Sequence, residues 1–160
     1  MIRLLAELER IARNAHRFTD LQPSLGAEHP FDLREIHPTL PNDVKRLFDN
    51  GHYAQATFEA FKYLDRAVKR IAKLDKSGKA LMMEAFREID PPIHRTSLAT
   101  ETERVEQEGY KFMFAGSMMA IRNPRGHEHS VEDDLTTCLD HLTLVSLLLR
   151  RLDSAGCKIV

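Results

Sequence analysis

The chain has 160 residues and a mass of 18.4 kDa, which suits one domain with or without a short appendage. Hydrophobic residues make up 42% and charged residues 29%, a globular balance that excludes disordered and fibrous classes. The net charge of −1 excludes a polycation that coats nucleic acid, so any anion binding must be local. Two cysteines form no disulfide framework, which favours a reducing cytoplasm. Because no apolar run is long enough to cross a membrane, we expect no membrane contact.

The first 30 residues are predicted to form an arm that is separate from a main domain over 31–160. Apolar residues at three- and four-residue steps predict a helix over about 2–18. A segment rich in proline follows over 19–41, and its turn residues break every helical period. We therefore interpret this segment as an extended connector between the arm and the main domain.

The main domain is predicted to be all-α, an antiparallel bundle of helices with short connections. The predicted helices cover about 42–50, 52–74, 79–88, 103–123 and 131–153, and no segment shows a convincing β pattern. Pro124 and Gly126 are expected to end the fourth of these helices. The segment from Ser130 to Asp133 resembles a capping box that starts the fifth.

Two of these helices carry more apolar surface than one small bundle covers easily. Residues 112–121 are apolar all round the helix axis, which predicts a segment enclosed on every side. The last helix has an apolar seam with alternating steps of four and three residues, and further leucines lie off that seam. The seam residues are Val131, Leu135, Cys138, Leu142, Val145, Leu149 and Leu152. A helix with two apolar faces contacts its own core and a second subunit, so we expect a homodimer.

A polar cluster follows the apolar segment, with Arg122, Asn123, Arg125, His127 and His129 within eight residues. A guanidinium offers a planar fork that matches a phosphate, and an imidazole can move a proton near neutral pH. These are the groups that phosphoester transfer on RNA requires. From the spacing alone, a polar turn whose side chains only cap helix carbonyls is the somewhat favoured interpretation.

A second candidate surface is a row of basic residues on the predicted 52–74 helix, nearly opposite its apolar stripe. These residues are Arg66, Lys69, Arg70 and Lys73. Such a row can follow a nucleic-acid backbone, although a solvated helix face is its commoner meaning. A metal site at His127 and His129 is not favoured, because no second ligand pair stands at a fixed spacing. No cofactor is predicted, since the sequence has no phosphate-binding glycine loop.

The segment Arg122–His127 resembles the Arg-x4–6-His signature of the HEPN superfamily, with a polar residue directly after the arginine. Three further blocks, Phe31–Pro38, Asn50–Ala56 and Gly78–Phe86, stand in the order found in the Ymh-type family of conserved hypothetical bacterial and phage proteins. The resemblance spans about 31–150 and leaves the predicted arm uncovered.

This resemblance implies a helical domain that dimerises so that two Arg-x4-His segments meet in one cleft. It implies a metal-independent endoribonuclease, of the kind found among toxins and antiviral defence proteins, with Arg122 and His127 as the catalytic pair and Asn123 in support. Arg125, His129 and the basic row would then contact RNA. An antitoxin, a defence ATPase or an effector is the kind of partner protein implied. Some relatives carry a tyrosine two positions after the histidine for control by nucleotidylation, and His129 stands there in this chain.

The alternative function class is a non-catalytic helical module in a defence or mobile-element system. In that interpretation the Arg/His segment binds a nucleotide or only supports the dimer. The resemblance to HEPN ribonucleases favours the enzyme, whereas the near-neutral charge and the lack of a broad basic surface favour the module mildly.

Deleting residues 1–30 is expected to leave a soluble, helical protein that melts cooperatively, because the proline-rich connector separates the arm from the core. Circular dichroism and a thermal melt of the truncated chain measure this. Loss of cooperative melting would show that the first predicted helix belongs to the core.

Overall fold

The computed structural model describes residues 28–127 and 131–159, and all regular structure within them is helical. The helices are α1 (Pro30–Leu33), α2 (Asn42–Asp49), α3 (Tyr53–Ala72), α4 (Gly78–Ala85), α5 (Glu101–Ser117), a π-helix (Met118–Arg122), α6 (Asn123–His127) and α7 (Leu135–Ser154). The all-α prediction is thereby confirmed for the described residues, and the predicted helix over 2–18 lies outside them. Within the same residues no helix combines the length and hydropathy that a membrane crossing needs.

The core is built around α3, which packs against α2, α4, α7 and the π-helix. Its buried face includes Phe61, Leu64 and Val68, and α7 contributes Leu142 and Leu149. Burying one such side chain stabilises a fold by roughly 1.5–3 kcal/mol. Five members of the predicted α7 seam are fully buried, namely Cys138, Leu142, Val145, Leu149 and Leu152. Val131 precedes the helix and Leu135 is exposed, so the seam is confirmed from Cys138 onwards.

His37 joins the two ends of the described chain. Its buried ring forms hydrogen bonds through Nε2 with Asp153 Oδ2 at 2.8 Å and through Nδ1 with Thr39 Oγ1 at 2.8 Å. Its backbone N–H donates to Ser146 Oγ at 3.0 Å. The prediction of an extended connector is therefore wrong for residues 28–41, which contain α1 and are fixed to α7 by these bonds.

The predicted end of the fourth helix at Pro124 is wrong, because the chain stays helical through His127. A proline inside an α-helix removes one N–H and its ring collides with the carbonyl four residues earlier. Here the hydrogen bonding widens to the π register just before the proline, and the N–H of Asn123 donates to the carbonyl of Met118. Pro124 then occupies the second position of α6, where no intrahelical N–H bond is required.

The last helix does not begin at the predicted capping box of Ser130–Asp133, of which Ser130 lies outside the described residues. The last helix begins at Leu135, and Asp134 is its N-cap, with a side chain that accepts the N–H of Thr137 at 2.7 Å. A complete capping box instead starts α5, where Thr100 and Glu103 accept each other's backbone N–H. Each segment contains several cap-forming residues, and tertiary contacts decide which of them caps the helix.

Residues 112–121 are not enclosed on every side, contrary to the expectation from their apolar composition. Phe114 and Met118 are fully buried, whereas Phe112 is 54%, Met113 41% and Met119 48% exposed. Of the off-seam leucines of the last helix, Leu148 is buried, whereas Leu144 and Leu147 are half-buried. The described chain therefore exposes large apolar side chains on α5 and the π-helix, whereas the α7 seam from Cys138 onwards is packed within its own subunit.

The change Asp65→Ala is expected to lower the free energy of unfolding by about 2 kcal/mol. Asp65 is buried on α3 and accepts the N–H of Gly78, the first residue of α4, at 2.6 Å. Without it a buried donor has no acceptor. Urea denaturation measures the loss. The control is Asp75→Ala, because that carboxylate is fully exposed. Equal effects of the two changes would contradict this assignment.

Candidate functional site

The π-helix places Arg122 where three helices meet. It packs against α3 on one side and continues into α6 on the other. π-helical turns are rare and frequently occur at functional sites. The spacing of apolar residues in the predicted helix does not indicate a π-helical turn. The sequence signal for it is Pro124, two residues after Arg122.

Arg122 is a half-buried cation that lacks a carboxylate partner among the described residues. Its guanidinium carbon lies 5.6 Å from the centroid of the Phe58 ring. Nη1 donates to Asn123 Oδ1 at 3.2 Å, and Nε is buried with no hydrogen-bond acceptor. An arginine with unfilled donors and no bound carboxylate can accept an anion such as a phosphate.

Gly126 allows α6 to lie directly against Phe58. A Cβ atom at Gly126 would stand 2.8 Å from Cε2 of the Phe58 ring, closer than real Cβ contacts occur. The absence of a Cβ atom at Gly126 therefore allows α6 to approach the Phe58 ring closely. The helix end expected at this position is absent, because α6 continues to His127.

Arg125 is buried in an ion pair with Asp133. Its Nε donates to Asp133 Oδ2 at 2.7 Å, and Nη2 donates to Oδ1 of the same carboxylate. Nη1 donates to the carbonyl of Ile121 at 2.8 Å. All three guanidinium nitrogens therefore bind atoms of the chain itself, and RNA contact by Arg125 stays a prediction.

His141 is a site residue that sequence reasoning missed. Its Nδ1 is buried without a hydrogen bond and lies 3.8 Å from Asp133 Oδ2. Burial, followed by the neighbouring positive charge of Arg125, lowers the pKa of His141 below its ordinary value of 6.5, although Asp133 and Asp140 act in the opposite direction. The ring is thus held neutral at neutral pH. Its place on α7 between the buried Cys138 and Leu142 is the signal that could have identified it.

Of the remaining predicted site residues, some lie within the described chain and others lie partly or wholly outside it. Asn123 is half-buried beside Arg122. His127 is the last residue of α6, while its side chain and the whole of His129 lie outside the described residues. In an α-helix, positions five residues apart differ by about 140° around the axis. The backbone therefore does not place Arg122 and His127 on one helix face.

The basic row lies on the second half of α3 and just after it. Arg66, Arg70 and Lys73 are exposed, and Lys69 donates to Asp75 at 2.6 Å. Arg66 stands eight residues after Phe58, which corresponds to about 12 Å along the helix axis. The structure therefore does not bring the row together with Arg122, and its contact with RNA stays a prediction.

A family model described as "Protein of unknown function (Hypoth_ymh)" matches residues 34–152. No curated protein and no solved structure matches the chain. The matched range includes the Arg122 junction, the Arg125–Asp133 ion pair and His141. The candidate site is therefore contained in the part of the chain that the family shares.

The change His141→Gln is expected to reduce the loss of stability between about pH 7 and pH 5. Because the pKa of His141 is lower in the folded chain, the unfolded chain binds more protons there as the pH falls. The stabilisation is thus complete above the ordinary pKa of 6.5 and is lost as the pH falls through the folded value.

Denaturant unfolding of both proteins across this pH range measures the difference. His94→Gln is the matched control, since His94 is an exposed histidine of the same chain. An acid-induced loss of the same size in the His141 variant and in the parent protein would contradict the prediction.

Proposed function

The chain belongs to the Hypoth_ymh family of proteins of unknown function, and we propose that it is a metal-independent endoribonuclease of the HEPN type. The observation that carries this proposal is Arg122, a half-buried guanidinium at a π-helical junction whose Nε has no acceptor among the described residues. The resemblance of Arg122–His127 to the HEPN signature supports it. RNA supplies the anion that this arginine lacks.

In the proposed reaction the RNA 2′-hydroxyl oxygen attacks the adjacent phosphorus. The bond from O2′ to phosphorus forms as the bond from phosphorus to the 5′ oxygen breaks, leaving a cyclic phosphate and a free 5′-hydroxyl. His127 takes the proton of the 2′-hydroxyl or gives a proton to the departing 5′ oxygen. Arg122 binds the phosphate charge that builds up in the transition state. Asn123 orients the Arg122 fork through its side-chain oxygen. DNA is not cut because it has no 2′-hydroxyl.

The proposed active form is a homodimer joined through an apolar stripe on α5 and the π-helix. The stripe has alternating steps of four and three residues, and its members are Val105, Gly109, Phe112, Gly116 and Met119. A Cβ atom at either glycine would meet nothing within 4 Å, so a second helix can approach closely there. The stripe ends three residues before Arg122, so a second copy on it would lie beside the site.

The separation of Arg122 and His127 around the helix favours a site made from two copies. A two-fold interface pairs each surface with itself and so brings both Arg-x4-His segments to one axis. RNA bound on that axis would meet arginine and histidine from both chains. A toxin or antiviral defence role, in the cytoplasm and under the control of a partner protein, completes the proposal.

A second candidate function is a non-catalytic helical module that binds a nucleotide or supports the dimer. The Arg125–Asp133 ion pair favours it, because one of the two arginines in the motif serves the structure of the chain itself. In that case Arg122 would bind a nucleotide phosphate without cleaving RNA.

The purified chain is expected to cut single-stranded RNA in excess EDTA and to leave DNA intact. Arg122→Ala should lower the cleavage rate by about 10²- to 10³-fold, since the arginine contact with the transition state is worth about 2–4 kcal/mol. His127→Ala should remove cleavage, since it removes the group that moves the proton. Arg46→Ala is the control, because Arg46 is an exposed arginine on α2. Gel analysis of the RNA products and the melting temperatures of all variants are the measurements.

If the parent protein cuts no RNA and each of the two variants unfolds or splits the dimer, the Arg-x4-His segment is structural. The non-catalytic module is then the better proposal.

Phe112→Glu is expected to convert the protein from a dimer to a monomer, because a charge in the centre of an apolar interface must be desolvated without a partner. Light scattering across micromolar concentrations measures the mass. Leu33→Glu is the matched control, since Leu33 is 63% exposed and lies on α1. A parent mass of 18.4 kDa at every concentration would contradict the proposed dimer.

A further inference from the structure

Phe58 holds a central place in the candidate site that the proposed chemistry does not use. Its ring is half-buried on α3 and lies below the Arg122 guanidinium, with 5.6 Å between the guanidinium carbon and the ring centroid. The edge of the same ring lies against α6, since a Cβ atom at Gly126 would stand 2.8 Å from its Cε2 atom. One aromatic side chain therefore connects α3, the π-helix and α6.

The ring is the main support for the Arg122 charge within the described chain. A cation within about 6 Å of an aromatic centroid is attracted by the negative face of the ring. Lys62 also approaches this ring, with Nζ 5.7 Å from the centroid, but it donates to Glu59 at 2.7 Å and is already paired. Within the part of the chain that the structure describes, Arg122 contacts the ring and the neutral amide of Asn123 and no carboxylate.

A guanidinium held by an aromatic face keeps its charge unpaired. A carboxylate partner would bind the same N–H groups that a phosphate needs, as Asp133 does to Arg125. An aromatic ring has no hydrogen-bond acceptor of comparable strength, so it orients the cation without occupying its donors.

We propose that Phe58 is a positioning residue of this site, which holds the Arg122 guanidinium ready for a phosphate through its ring and is itself held by Gly126. The inference rests on the proposed function in that the phosphate belongs to RNA. The position of Arg122 over the ring does not depend on which ligand binds, so it can be tested without RNA.

The first measurement is the NMR signal of the Arg122 Nε–H group in the full-length protein. The signal is assigned by its loss in Arg122→Lys. A ring below the guanidinium shifts nearby proton signals upfield, and burial slows exchange of the Nε proton with water. In Phe58→Leu we expect the upfield shift to disappear and the exchange to quicken about tenfold, as the local protection is lost. Phe58→Tyr keeps the aromatic face and should retain both properties.

Gly126→Ala tests the same contact from the opposite side. Its new Cβ atom must displace the Phe58 ring, so the Arg122 signal should move although neither Phe58 nor Arg122 is changed. Phe31→Leu is the control, because Phe31 is a half-buried aromatic residue that contacts His29 and Phe48 instead. It should leave the Arg122 signal unchanged.

The second measurement is RNA cleavage by the same variants. Misplacing a catalytic group by about 1 Å lowers rates about a hundredfold, so kcat for Phe58→Leu should fall by about ten- to a hundredfold. Phe58→Tyr should stay within about threefold of the parent, and Phe31→Leu likewise. A merely structural role would lower the melting temperature and leave kcat of the folded protein unchanged.

An Arg122 signal that is unaffected by Phe58→Leu and Gly126→Ala would overturn the proposal. It is also overturned if the signal moves while kcat of an active parent does not, or if Phe31→Leu lowers kcat as much as Phe58→Leu. If the parent protein cuts no RNA, the proposed ribonuclease fails, and the NMR measurement still decides whether the ring positions Arg122.

Discussion

The buried ion pair between Arg125 and Asp133 determines most of the local structure around the candidate site. It joins α6 to the segment before α7, and through the Ile121 carbonyl it also holds the π-helix. Because Asp133 is bound there, the last helix starts two residues later, with Asp134 as its cap. The same pair lies beside His141, whose pKa is lowered first by burial and then by the Arg125 charge, while Asp133 acts in the opposite direction. Arg125 is thereby fixed inside the protein, whereas Arg122 has no carboxylate partner among the described residues.

Much of the fold follows from the sequence because helical periodicity and core burial act over short range. The α7 seam shows this, since Cys138, Leu142 and Val145 are buried as their spacing predicts. The π-helix could not be predicted in the same way, because side-chain periodicity does not report which carbonyl an N–H chooses next to Pro124. The exposure of Phe112 could not be predicted either, since it depends on which helices pack beside α5.

The candidate site was predictable in its residues and less so in their roles. Spacing and the family resemblance predicted Arg122 as a catalytic residue and Arg125 as an RNA contact, two cations that are both free to bind a phosphate. Their difference arises from Asp133, which is eight residues away from Arg125 in the sequence and adjacent to it in space. His141 carried no motif at all, and only its neighbours make it unusual. Residues of this kind are distant in the sequence and close in space, so a single sequence does not predict that they interact.

The hydrogen bond between His37 and Asp153 has a consequence for chain topology. Two residues 116 positions apart in the sequence lie within bonding distance, so the beginning and the end of the helical domain are neighbours in space. Neighbouring ends make a domain suitable for circular permutation, since a short linker can close them and new ends can be opened in an exposed loop. The order of the helices along the chain is thus separable from their arrangement in the bundle, and the bundle can be inserted as a unit into a longer protein.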